Sequence, residues 1–69
     1  MTKSQIDIAI KILENTHKLD VYDYELVIDD MLNRKKVLRL IHDGQMTVLH
    51  KGSYAECITT AKDFLMLLN

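Results

Sequence analysis

Four groups of side chains in this sequence are of types that do chemistry: the lone cysteine Cys57, the histidines His17, His42 and His50, the acids Asp20, Asp23, Glu25, Asp29 and Asp30, and the bases Arg34, Lys35, Lys36 and Arg39. Cys57 follows the capping signal Ser53-Tyr54-Ala55-Glu56, so it falls in the first turn of a helix, where the helix dipole favours a thiolate. A cysteine nucleophile also needs a histidine within hydrogen-bond reach, and no spacing in the chain places one there. Cys57 shares a stripe with Ile58 and Ala61, which makes a small buried apolar residue the favoured reading. No two of the histidines have the i, i+4 helical spacing of a zinc site.

The acidic run lacks the D-x-D-x-D-G pattern and closing glutamate of a calcium loop. A solvated edge is its simplest reading, with an acidic docking surface as the functional one. The basic run Arg34, Lys35, Lys36 and Arg39 could meet phosphates, making a small nucleic-acid-binding module the alternative function. No interleaved aromatic residues supply base stacking, and a solubilising turn accounts for the same charges. Neither Gly44 nor Gly52 belongs to a phosphate-cradling loop. We therefore assign no catalytic residue, no cofactor and no metal ligand, and expect a chain that is not an enzyme.

Elements that position these groups are marked by caps and periodicity. Thr2-Lys3-Ser4-Gln5 is a capping box, and Ile6, Ile8, Ala9, Ile10, Ile12, Leu13 and Leu19 follow on one broad helical arc. A second box, Ser53-Tyr54-Ala55-Glu56, leads into Tyr54, Cys57, Ile58, Ala61, Phe64, Leu65 and Leu68 at the spacing of a buried stripe. Between them, 22–28, 37–41 and 46–50 alternate with the period of strands. The expected fold is α+β: helix, three-stranded antiparallel meander, helix, with both helices on one sheet face. The alternative is a mostly helical chain with a small hairpin, since Tyr24, Val27, Ile28, Met31, Leu38 and Ile41 also share a helical face. That helix would bury Arg34 and Lys35.

For the hairpin, a three-residue loop His42-Asp43-Gly44 is preferred over a two-residue loop Asp43-Gly44, because it pairs Leu40 with Met46 and Leu38 with Val48. The inner face then carries Tyr24, Leu26, Ile28, Leu38, Leu40, Met46 and Val48. Its outer face carries Val27, Val37, Ile41 and Leu49 beside Glu25, Arg39, Gln45 and Thr47.

At 69 residues the chain is a single domain of marginal core size. With 48% hydrophobic and 28% charged residues it has the composition of a packed domain rather than a disordered tail. Its formal net charge of -1 gives no global field toward nucleic acid or anionic membrane. One cysteine cannot close an internal disulfide, and no run approaches the ~18 apolar residues of a membrane span, so a cytoplasmic location is expected. The hairpin followed by Lys51-Gly52 and Ser53-Tyr54-Ala55-Glu56-Cys57 resembles a layout common in small accessory proteins of bacteria and their phages, a likeness that transfers no functional residue.

These observations lead to a small protein-interaction module, regulatory or inhibitory, with Val27, Val37, Arg39, Ile41 and Leu49 as the candidate interaction face. A homodimer through that face is expected, Glu25 and Arg39 pairing across the two-fold axis. Ile8 and Ile12 on the first helix offer another seam.

Overall fold

The computed structural model describes residues 1–68, which form helix α1 (Lys3–Thr16), strands β1 (Lys18–Val21), β2 (Tyr24–Asp30), β3 (Lys36–His42) and β4 (Gln45–Gly52), and helix α2 (Tyr54–Leu67). The four strands make one antiparallel meander in the order β1-β2-β3-β4. The α+β class and the two flanking helices agree with the sequence, but there are four strands rather than three. Residues 24–30 and 36–42 are strands, joined by a loop with one 3-10 turn at Leu32–Arg34, which removes the mostly helical alternative.

Both helices open on the capping boxes read from the sequence. Thr2 accepts the Gln5 amide at 3.2 Å while Gln5 Oε1 accepts the Thr2 amide at 2.8 Å. At the start of α2, Ser53 Oγ accepts the Glu56 amide at 3.1 Å and Glu56 Oε1 accepts the Ser53 amide at 2.9 Å. The end of α1 is set by His17, which turns left-handed (φ 60) as its amide bonds to the Leu13 carbonyl. Leu19, counted on the helical arc by periodicity, therefore belongs to β1 and enters the core from the sheet.

The core is one layer between helices and sheet. Leu13, Leu26, Leu38, Cys57, Ala61 and Leu65 are fully buried there, joined by Ile6, Ala9, Ile10, Leu19 and Ile28. α1 lies over β1 and β2, and α2 over β3 and β4. Tyr24 extends this layer, edge-on to Phe64 at 5.4 Å and stacked on His42 at 4.3 Å. Among the described residues the opposite sheet face carries no helix.

The β3–β4 hairpin departs from the expected register. Asp43 and Gly44 form a two-residue loop with φ 51 and 73, and His42 pairs with Gln45, Leu40 with Thr47 and Arg39 with Val48. Two positive φ values are what a type I′ turn requires, and Asp-Gly supplies them at low cost. Met46 and Val48 consequently lie on the outer face. A bulge opposite Leu38 and Arg39 then shifts the register, so that Leu38 pairs with His50 and Leu49 becomes the extra residue. The bulge turns Leu49 onto the core.

Candidate interaction surface

The outer sheet face divides into an ion-paired half and an apolar half. Across β1 and β2, Lys18 Nζ meets Glu25 at 2.9 Å, and that hydrogen bond and charge raise the lysine's pKa above its ordinary value. Across β2 and β3, Arg39 pairs with Asp29 diagonally. Val27 sits between these two pairs, opposite Lys18 on one side and Arg39 on the other. Toward β4 the face turns apolar: Ile41 stands opposite Met46, and Val48 opposite Arg39. Met46 is 55% exposed and Val48 40%.

The expected interaction face is thus partly rearranged. Val27, Arg39 and Ile41 lie on the outer face and are half-exposed. Val37 lies there as well, directly opposite Asp29 and Lys51, but is only 2% exposed. Leu49 packs on the core and leaves the face. Met46 and Val48 take its place, and the signal that finds them is the Asp43-Gly44 turn chemistry rather than the apolar pattern. Glu25 and Arg39, expected to pair across a two-fold axis, each have an intrachain partner.

The basic segment is also divided. Arg34 and Lys35 are exposed in the loop joining β2 to β3, where Asn33 and Arg34 both adopt positive φ. Lys36 is paired with Asp30, holding that carboxyl below its usual range, and Arg39 with Asp29. Strand register therefore joins the acidic run to the basic one, a coupling that linear spacing does not display.

Of the titratable groups, Cys57 is fully buried, and burial followed by the nearby Glu56 charge pushes its thiol up, away from the nucleophilic thiolate. The histidines are dispersed. His17 lies near Tyr54 with ring centres 6.1 Å apart, His42 approaches the Asp23 carbonyl at 3.2 Å through Nδ1, and His50 Nε2 is 3.4 Å from Glu56. Among the described residues no three His, Cys, Asp or Glu side chains are grouped to hold a metal ion.

Two further apolar features lie on the helical side. Ile8 and Ile12 are 62% and 44% exposed and border a shallow groove with Leu19 and Val21. Another groove runs between the start of α1 and the end of α2, from Ile6 to Met66, with Lys3, Asp7 and Lys62 along it. Among the described residues no helix is long and apolar enough to cross a membrane. No protein-family model, curated protein or solved structure matches this chain.

Proposed function

We propose that this chain is a small non-enzymatic protein-interaction module, a regulatory or inhibitory accessory protein that works by occupying another protein's surface. The observation that carries this reading is the outer sheet face, where Ile41, Met46 and Val48 form an apolar area flanked by the Arg39–Asp29 pair. An apolar centre with a charged rim is the composition of a contact surface. The single cysteine, buried as Cys57, suits a reducing compartment such as the cytoplasm. The nucleic-acid alternative draws less support, since Lys36 and Arg39 are engaged by carboxylates and leave Arg34 and Lys35 as the accessible pair.

The test compares the wild-type chain with Ile41→Asp and Ile8→Asp as baits for binding proteins. Ile41→Asp puts a charge at the centre of the apolar area, where desolvation opposes contact. Capture of the same partner by wild type and Ile8→Asp, lost with Ile41→Asp while circular dichroism is unchanged, is the expected result. Equal capture by all three would remove the outer face from the function.

A further inference from the structure

We infer that the free edge of β4 pairs with the same edge of a second copy, joining two four-stranded sheets into one continuous eight-stranded sheet about a two-fold axis at Thr47. The inference rests on the interaction-module reading and names its first partner, another copy of this chain.

The two sheet edges differ in how they meet solvent. β1 has four residues and places the charges Lys18 and Asp20 along its length, a common protection of an edge. β4 has eight residues, and Gln45, Met46, Thr47, Val48 and Leu49 form an uncharged stretch without proline. The bulge at Leu49 bends the strand beyond this stretch and confines pairing to the residues before it.

The backbone polarity of that stretch follows from the hairpin. His42 and Gln45 close a two-residue turn, so Gln45 exchanges hydrogen bonds with His42. Alternation along an antiparallel ladder then directs the amide and carbonyl of Met46 and Val48 away from β3, toward the open edge. An antiparallel copy with its axis at Thr47 sets Met46 against the second copy's Val48, and the reverse. Those are the residues whose backbone groups face outward.

Side chains agree with the same register. Met46 and Val48 are both on the outer face, so each apolar side chain gains an apolar cross-strand neighbour, while Thr47 meets its own copy on the other face. Beyond the bulge, the exposed Lys51 lies toward the end of the contact that holds the second copy's turn with its exposed Asp43, so charges of opposite sign flank the pairing at each end. Moving the axis to Val48 sets Met46 against His50, and moving it to Met46 sets Val48 against Gly44. In the Thr47 register the outer faces of the two copies lie side by side, and their apolar areas become one.

Thr47→Cys tests the axis directly, because only a residue on a two-fold axis meets itself, and facing residues of a pair without mutual hydrogen bonds bring their Cβ atoms close enough for a disulfide. Cys57 is fully buried and does not compete. Under mild oxidation at micromolar concentration Thr47→Cys should form a covalent dimer about a hundredfold or more faster than the exposed control Lys62→Cys, reflecting the higher effective concentration within a complex. Wild-type chain should sediment at twice its 8.0 kDa mass. Met46→Pro, which deletes an outward amide that β3 does not use, should sediment as a monomer with its circular dichroism retained.

A wild-type monomer, or a dimer in which Thr47→Cys links no faster than Lys62→Cys, overturns the edge pairing. A dimer of the latter kind that dissociates on Ile8→Asp would be seated on α1 instead. Loss of partner capture in Ile41→Asp is scored separately, so the outer-face reading can survive the failure of the edge pairing.

Discussion

Replacing Ser53 with alanine should destabilise the protein by about 1 kcal/mol, the usual cost of losing a helix N-cap. The residue has extended backbone (φ -71, ψ 158), and its hydroxyl accepts the Glu56 amide at 3.1 Å. Alanine keeps the Ser53 amide, so the bond that Glu56 Oε1 accepts at 2.9 Å can persist, and the Ser53 carbonyl can still accept the Cys57 amide. Only one acceptor is lost, at an exposed site where water partly replaces it. The loss nevertheless reaches the core, because Ser53 alone separates β4 from α2, and the first turn of α2 carries the fully buried Cys57. For a domain of this size about 1 kcal/mol lowers Tm by roughly 4–8 °C. Urea unfolding should show a lower midpoint with an unchanged slope, and Ser53→Asn, which restores an acceptor, should recover most of it. A Ser53→Ala protein with the wild-type midpoint would refute the cap as the element that fixes the start of α2.

Glu56 adds a pH dependence at the same junction: hydrogen bonds from Ser53 and His50 hold its carboxyl below the ordinary 4.5. A depressed folded-state pKa gives stability that is present above the unfolded value and is lost as pH falls through the folded one, so wild type should lose stability below about pH 4.5 faster than Glu56→Gln, read by urea midpoints across that range. Leu49→Ala should cost about 2 kcal/mol because the bulge packs Leu49 on the core, whereas Val48→Ala should stay within roughly 0.5 kcal/mol; the opposite order in urea unfolding would restore the three-residue loop. Tyr22 is exposed with φ 51 in the β1–β2 turn, so Tyr22→Gly should stabilise by about 1 kcal/mol, and a lower Tm would show that the turn is built otherwise. Duplex and single-stranded probes should show no shift at about 50 mM salt, since phosphate binding through Arg34 and Lys35 alone is weak; a shift abolished by Arg34→Ala with Lys35→Ala would favour the nucleic-acid reading.

Helix starts were legible because a capping box is a local device: Thr2 with Gln5 and Ser53 with Glu56 need nothing from the rest of the chain. The first strand was not legible. Its turn, Tyr22-Asp23, contains neither glycine nor proline and puts a tyrosine in left-handed backbone, a position where sequence rules expect glycine or asparagine. Leu19 meanwhile continued the apolar arc of α1, and nothing in the pattern reveals that His17 turns the chain. Ion pairing was hidden for a related reason. Asp29 and Asp30 are separated from Arg39 and Lys36 in sequence, and only the β2–β3 register brings opposite charges together.

The hairpin set two local rules against each other, and its geometry shows why one prevailed. Apolar pattern asks Met46 and Val48 to face the helices, whereas Asp43-Gly44 asks for a two-residue turn that sends them outward. Pattern has force only where an inward position is covered. Near the turn it is not: Gln45 and Thr47, on the helix side of β4, remain exposed. Facing inward there would have buried little, so the turn set the register without opposition from the core. Farther along β4, where α2 crosses the sheet, burial regains its force, and the bulge returns Leu49 to the core. One local shift thus satisfies the turn at one end of the strand and the core at the other. Its consequence is an outer face with Met46 and Val48 beside Ile41, the apolar area offered to the proposed partner.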